Sequence, residues 1–489
     1  MSPAFGRLIA PIVVVAVAAV VLAVWLSGVP QMALRSGMAE VPMYFPAGLP
    51  GTLERGPGTP GDAADDWGGF RGPGRDGIRP PGPPLADRWG AGGPPVVWEV
   101  SVGDGYGGPA VVDGRVYLLD YDADAEADVL RCLSLATGDD VWRRGYPLTL
   151  PSDHGYSRTV PAATREYVVS FSPACHVLCT DTDGDYLWSI DLVKEYGATV
   201  PKWYAGQCPL IDRDADGREY AVIAPAGEKL MIAAWCAFGT PRDDGTRRPA
   251  LKWTAENPHG WKMTHASPVP VTFRGADKTW RMYVYPASGG VVGVSREDGH
   301  VLWTYAPWEV TPANIPSPVD CGAGRILLTG GYGAGGVLLQ LRENGGGLTA
   351  ERIQRFEPGQ LGSYQQTPIF HGGADDGRVY LVLPAGGGPL RGQLACATLS
   401  GEHLWTSGRA DRFAWGPYVI ADGKLLVMNN VGELTMARAS PDGYRRLAQA
   451  RVFEAGRESW APMAVAGDKL LLRDFTRLKC LDLSPQDEP

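Results

Sequence analysis

Residues able to hold something flat and negatively charged recur in this chain just ahead of regularly placed prolines. Tyr106 precedes Pro109, Tyr156 and Arg158 precede Pro161, and Lys202, Trp203 and Tyr204 precede Pro209. Trp261, Lys262 and His265 precede Pro268, Tyr364, Gln365 and Gln366 precede Pro368, Phe413 and Trp415 precede Pro417, and Trp460 precedes Pro462. Aromatic faces beside Arg158, Lys202 and Lys262 on three consecutive units would stack on a flat ligand and meet its charge. The same residues have a plainer use, because rigid aromatics also seal interfaces and dominate protein-binding surfaces.

A second pattern could bind a cation. Asp212, Asp214 and Asp216 alternate ahead of Gly217, as a hard Ca²⁺ requires of oxygen ligands around one tight turn. Tyr220 and Ile223 stand where an EF-hand loop has its later ligands, so an Asp-rich hairpin is the simpler expectation. The acidic run Asp120, Asp122, Asp124, Glu126 and Asp128 reads as a solvated hairpin tip. The eight cysteines include no adjacent pair and no Cys-x-x-Cys-His. Cys132, Cys179, Cys396 and Cys480 share one place in their repeats, which marks small core residues rather than ligands. Cys175 and Cys179 are close enough in sequence to form a disulfide only if the turn between them is tight. The seven histidines are scattered, which argues against a zinc site.

What would position these residues is a repeated sheet. The stretch from Ser267 to Pro307 reads as four short strands. Pro268 opens the first, and Asp298-Gly299 is the expected type I′ turn before Val301 to Tyr305. A proline opens an apolar strand eight times between Pro109 and Pro462, at intervals of 45 to 59 residues. Four units carry a glycine four residues before a tryptophan: Gly138 and Trp142, Gly184 and Trp188, Gly299 and Trp303, Gly401 and Trp405. The last unit is too short for a fourth strand, whereas Val96 to Val100 with Trp98 reads as one strand without a unit. The spacing therefore predicts an all-β, eight-bladed propeller of four-stranded antiparallel blades over residues 95–485, closed by that N-terminal strand. The 65 glycines and 42 prolines suit many hairpins, and a net charge of −9 argues against a nucleic-acid surface.

Ahead of the repeats, Leu8 to Leu26 is an unbroken apolar stretch, long enough at 1.5 Å per residue to approach the ~30 Å of a bilayer core. We read residues 8–28 as a single transmembrane signal anchor after a cytoplasmic residue 1–7 start, a cleaved signal peptide being the alternative; both put the propeller outside the cytoplasm. Residues 29–66, rich in Pro and Gly, read as a flexible tether. Residues 67–94 read as a docking lead-in across one propeller face, the alternative being that Arg71, Arg75 and Asp76 enter the central funnel. Residues 486–489 are a tail.

Leu135-Ala136-Thr137-Gly138-Asp139-Asp140-Val141-Trp142 and Ser295 to Trp303 resemble the repeat of PQQ-binding-like β-propellers, the quinoprotein alcohol dehydrogenase-like superfamily. The lead-in WGGFRGPGRDG is similar to that of membrane-anchored bacterial members. The resemblance implies a docking tryptophan between adjacent blades. It also implies one of two functions: a dehydrogenase holding pyrroloquinoline quinone (PQQ) and Ca²⁺ in the funnel, or a non-enzymatic platform such as the lipoprotein of the outer-membrane assembly machine. Adjacent cysteines beside the cofactor mark many of the alcohol-oxidising members, and this chain has none. We therefore expect a binding scaffold with a protein partner in the cell envelope. A PQQ-dependent oxidase of alcohols or sugars is the alternative, with Arg158, Lys202, Trp203, Tyr204, Trp261, Lys262, His265, Trp415 and Trp460 around the quinone.

Overall fold

The computed structural model describes residues 50–485 apart from 63–64, 91, 152–153, 229, 242–246 and 455. The stretch 8–28 and the tail 486–489 lie outside the described residues. Among those described, no helix is long and apolar enough to cross a membrane.

Eight antiparallel sheets follow one another along the chain. Each inner strand begins one or two residues after its opening proline, as in Ala110–Val112, Ala162–Ala163, Val269–Arg274 and Tyr418–Ala421. An inner strand beginning there leaves the missing N–H of proline outside the ladder. The eighth blade has only Ala464–Ala466, Lys469–Arg473 and Arg477–Asp482 of its own, and Val96–Ser101 supplies its outer strand. That strand runs antiparallel to Arg477–Asp482, with Trp98 opposite Cys480 and Val100 opposite Leu478. The ring is closed as expected.

No blade buries its faces alone. The apolar clusters lie between neighbours: one joins blades two, three and four through Val169, Ile223 and Tyr285, and another joins blades seven, eight and one through Leu426, Leu471 and Val116. The tryptophans tie these seams. Trp142 in blade one gives Nε1–H to the carbonyl of Thr182 in blade two at 2.9 Å, and Trp188 reaches Ala237 of blade three at 2.7 Å. Trp405 reaches Ser440 of blade seven at 2.8 Å. Each repeat glycine lies under the ring of the preceding blade. A Cβ on Gly184 would stand 2.6 Å from Trp142, which is why a residue without a side chain is needed there. The cysteines fit the same logic, since Cys132, Cys179 and Cys396 lie opposite Trp142, Trp188 and Trp405 and give each indole a small residue to fold over. All eight cysteines are free, so Cys175 and Cys179 are not bridged.

Two expectations are corrected. The Asp298-Gly299 connection is not a two-residue type I′ turn. Only Gly299 has positive φ, and the loop closes through Gly299 N to Ser295 O (3.1 Å) and Ser295 N to His300 O (2.8 Å). The range read as a flexible tether, 29–66, is ordered in the part described. Thr52–Arg55 forms a fifth strand on the outer edge of blade one, paired with Trp142 to Gly145.

The lead-in then crosses the ring. Trp67, 1% exposed, pairs with Val111 of blade one, and Ala163 of blade two donates to the Gly68 carbonyl at 2.7 Å. Ile78 bridges Ile420 of blade seven, and Arg79 Nη1 reaches the Gly467 carbonyl of blade eight at 2.7 Å. These partners stand toward the ends of the inner strands, so the segment caps the channel end opposite the one where those strands begin. It packs across one face, and two of its side chains also enter the funnel. Arg71 Nη1 and Nη2 donate to the carbonyls of Thr367 (2.7 Å) and Pro368 (2.9 Å) in blade six, and Arg75 Nη2 donates to that of Pro209 in blade three. Asp76 stays in its own loop, accepting from Ile78 N at 2.9 Å.

Candidate functional site

The residues ahead of the opening prolines gather at the other end, the channel mouth. Second strands run back toward that end, so the turns between second and third strands arrive there too. Together they build a continuous chain of rings. Tyr332 leans on Tyr364 (centroids 4.6 Å apart), Tyr364 stacks on Trp415 (5.1 Å, 16°), Trp415 meets Trp460 edge-on (4.9 Å, 66°) and Trp460 stacks on Tyr106 (5.1 Å, 14°). This run spans blades five, six, seven, eight and one. Phe413 is buried beside it at the blade six–seven seam.

Hydrogen bonds fix the rings. Asn430 Oδ1 accepts from Trp460 Nε1 at 2.7 Å, Gln366 Nε2 donates to the Trp460 carbonyl at 2.9 Å, and Gln365 Nε2 donates to that of Trp415 at 3.2 Å. Glu458 accepts from the Tyr106 hydroxyl at 2.6 Å. Tyr332, Asn430 and Glu458 were not read from the sequence as part of the mouth. Tyr332 and Asn430 belong to the second-to-third-strand turns, which carry no repeated proline to mark them.

The cationic side of the mouth is organised differently. Arg158 lies 5.0 Å from the Tyr106 ring centroid and donates through Nε to the Trp203 carbonyl and through Nη2 to that of His154 at 2.9 Å. Trp203 and Tyr204 have φ of 65° and 71°, a left-handed pair that non-glycine residues adopt at a cost. Three neighbours hold that loop: Arg158, the Tyr204 hydroxyl donating to the Pro151 carbonyl, and His265 Nε2 at 2.8 Å from the Lys202 carbonyl. A carbonyl only accepts, so His265 carries its proton on Nε2. Burial, with Arg158 nearby, holds its imidazole down to about 4, so it is neutral at physiological pH. Lys202 is exposed, with Nζ 4.8 Å from the Trp203 ring. Trp261 stacks on His259 at 4.5 Å, and Lys262 is exposed beside it. Tyr156 stacks on Tyr121 at 4.0 Å.

The aspartates of the hairpin in blade three are spread over separate partners. Asp212 pairs with Arg296 (2.5 Å) and accepts from the Tyr283 hydroxyl, Asp214 pairs with Lys252 (2.8 Å), and Asp216 faces Arg218 (3.6 Å). Among the described residues no group of three His, Cys, Asp or Glu could hold a metal ion. Asp212, Asp214 and Asp216 form a hairpin, not a cation cage. Nor is the acidic run wholly a solvated tip. Asp124 and Glu126 are exposed, but Asp120 pairs with Arg131 at 3.1 Å, and Asp128, 1% exposed, lies between blades one and two. Asp128 accepts from the Tyr146 hydroxyl (2.8 Å), which lies 3.3 Å from His176 Nδ1. Burial pushes the Asp128 carboxyl up to about 7 and holds His176 down to about 4.

A PQQ–Ca²⁺ pair needs an oxygen cage for the hard cation and an open aromatic face for the quinone. Among the described residues the mouth supplies no cluster of carboxylates able to hold a metal, and Tyr106, Tyr364, Trp415, Trp460 and Trp261 each already have a stacked or edge-on ring neighbour. This donor set does not fit the pair.

The blades, docking tryptophans and closing strand define a PQQ-like eight-bladed propeller. Residues 125–382, more than half of the chain, match the family described as outer membrane protein assembly factor BamB, and the chain belongs to that family. No curated protein matches it. Among solved structures, the europium-containing methanol dehydrogenase is similar over 86% of this chain and 98% of its own, with 12% identity and a TM-score of 0.58, a likeness of fold. Quinohemoprotein alcohol dehydrogenases from Comamonas testosteroni and from Pseudomonas putida HK5 cover 87% of this chain and 82% of theirs, each with 12% identity and a TM-score of 0.42.

Proposed function

We propose that this protein is a non-enzymatic docking platform whose mouth face receives a protein partner in the cell envelope. The observation that carries the proposal is the ring chain from Tyr332 to Tyr106. Asn430 and Glu458 hold the Trp460 and Tyr106 rings and Gln366 the Trp460 main chain before anything binds, so docking there would cost little side-chain entropy. A rigid aromatic patch on one side of the mouth, with exposed Lys202 and Lys262 ahead of blades three and four, has the composition of a protein-binding hot spot with charged neighbours. Family membership supports the same direction. The apolar stretch Leu8 to Leu26 supports a membrane-anchored, extracytoplasmic setting.

The second reading, a quinoprotein dehydrogenase, draws on the fold shared with the methanol dehydrogenase. Against it stands the lack of a carboxylate cage among the described residues. Titration of the purified chain with PQQ and Ca²⁺ separates the two. The platform reading predicts no saturable complex and no dye reduction with alcohols or sugars. A stoichiometric complex that reduces dye would overturn it.

A further inference from the structure

The lead-in brings two positive charges into the channel that have no ion-pair partner among the described residues. Arg71 donates only to neutral carbonyls: Arg75 at 3.2 Å, Thr367 at 2.7 Å, Asp76 at 2.6 Å and Pro368 at 2.9 Å. Arg75, 7% exposed, gives Nη2 to the Pro209 carbonyl, and its Nη1 has no hydrogen-bond partner among the described residues. The carboxylate nearest to it by charge is Asp212, which is already paired with Arg296 at 2.5 Å. Burial lowers both guanidiniums to about 10, which leaves them charged at neutral pH. A buried cation that keeps its charge needs a counter-charge or a full set of acceptors. Arg75 has neither.

The same level of the channel is rich in donors. Cys208 N donates to Ser267 Oγ at 2.8 Å, Ser267 N to Ser317 Oγ at 2.9 Å, and Ser317 N to Thr367 Oγ1 at 2.9 Å. These residues immediately precede the opening prolines of four successive blades, so the three hydroxyls of Ser267, Ser317 and Thr367 form an arc beside the carbonyls that Arg71 and Arg75 engage. Each hydroxyl also carries a proton to give. Arg158, Lys202 and Lys262 bring positive charge to the mouth beside the Glu458 carboxylate, although the chain as a whole carries −9.

We propose that the channel holds one small anion against Nη1 of Arg75. The chemistry required is a single compact negative charge that accepts two or more N–H or O–H bonds. A free inorganic ion meets it, and so does the carboxylate of an acidic molecule entering by the mouth. The site lies deeper than the aromatic face and does not depend on what docks there.

Bromide is the probe. Crystals of the full chain grown in sodium bromide should show an anomalous peak within hydrogen-bonding reach of Arg75 Nη1, and Arg75→Gln should lose it. In solution, bromide should raise the melting temperature saturably in the native chain and not in the variant. Displacement of bromide by excess acetate would extend the site to carboxylates, whereas retention would restrict it to inorganic ions; both outcomes support an anion there. No peak beside Arg75 in the native crystal, or an equal peak in Arg75→Gln, overturns the proposal. The native crystal alone decides the question should the variant fail to fold.

Discussion

The indole of Trp98 donates its Nε1–H to the carbonyl of Leu135 at 2.8 Å, so the strand that completes blade eight is fastened to blade one. Gly138 lies under the same ring, where a Cβ would stand 2.8 Å from it. The first and last parts of the propeller meet at this contact. Removing the side chain in Trp98→Ala should cost about 3–5 kcal/mol, as for other buried large aromatics. Trp303, 5% exposed between blades four and five, should cost a similar amount in Trp303→Ala. Denaturant melts check both, and an unchanged midpoint would remove the interblade role.

The fastening of the lead-in should depend on guanidinium geometry rather than on charge alone. Arg71 spans the carbonyls of Thr367, Pro368, Asp76 and Arg75 from one planar group, which an ammonium cannot copy. Arg71→Lys should therefore lose on the order of 2 kcal/mol, the worth of one or two hydrogen bonds from a charged donor. Equal stability of Arg71→Lys and the native chain in urea would show that these contacts contribute nothing.

The fifth strand should be removable without opening the ring. A Cβ on Gly56 would lie 1.9 Å from the Asp140 carbonyl oxygen, so Gly56→Val should lift Thr52–Arg55 off blade one. Limited proteolysis should then cut within residues 50–62 while leaving the rest intact. Unchanged resistance there would place the strand's stability elsewhere.

Asp128 gives the chain a stability that falls with alkalinity. Its folded carboxyl is raised to about 7 from an ordinary 3.8, so the unfolded chain loses its proton first as pH rises. The stabilisation is full below about pH 4 and is lost as pH climbs through 7. His176, lowered to about 4 from 6.5, works oppositely, its contribution present above 6.5 and lost in acid. The clean window is therefore pH 6.5 to 8, where native stability should decline and Asp128→Asn should be flat. Parallel profiles of the two proteins would contradict this.

The ring was legible in the sequence because its signals are local and repeated. Each opening proline sets a strand start, and the glycines Gly138, Gly184 and Gly299 each lie beneath the tryptophan of the preceding blade, Trp98, Trp142 and Trp253. The Pro- and Gly-rich stretch before Trp67 was read as a tether for a physical reason. It buries few side chains of its own, and its order comes from backbone lying flush on backbone, with Gly56, Gly58 and Gly61 each within 3 Å of blade-one main chain were they to carry a Cβ. The residues ahead of the prolines reach one end of the channel because they precede inner strands. That they stack on one another could not be read, since Tyr332 and Asn430 arrive from turns that carry no repeat signature.

The docking role of the mouth is tested most directly by site-specific photocrosslinking in cells that make the protein. A photoreactive residue at Tyr332, 36% exposed on the ring chain, should yield a discrete protein adduct that disappears with Tyr364→Ala. The same residue at Ile353, 48% exposed on the outer strand of blade five, should yield none. An adduct from position 353 and not from 332, or no adduct from either, would contradict the account.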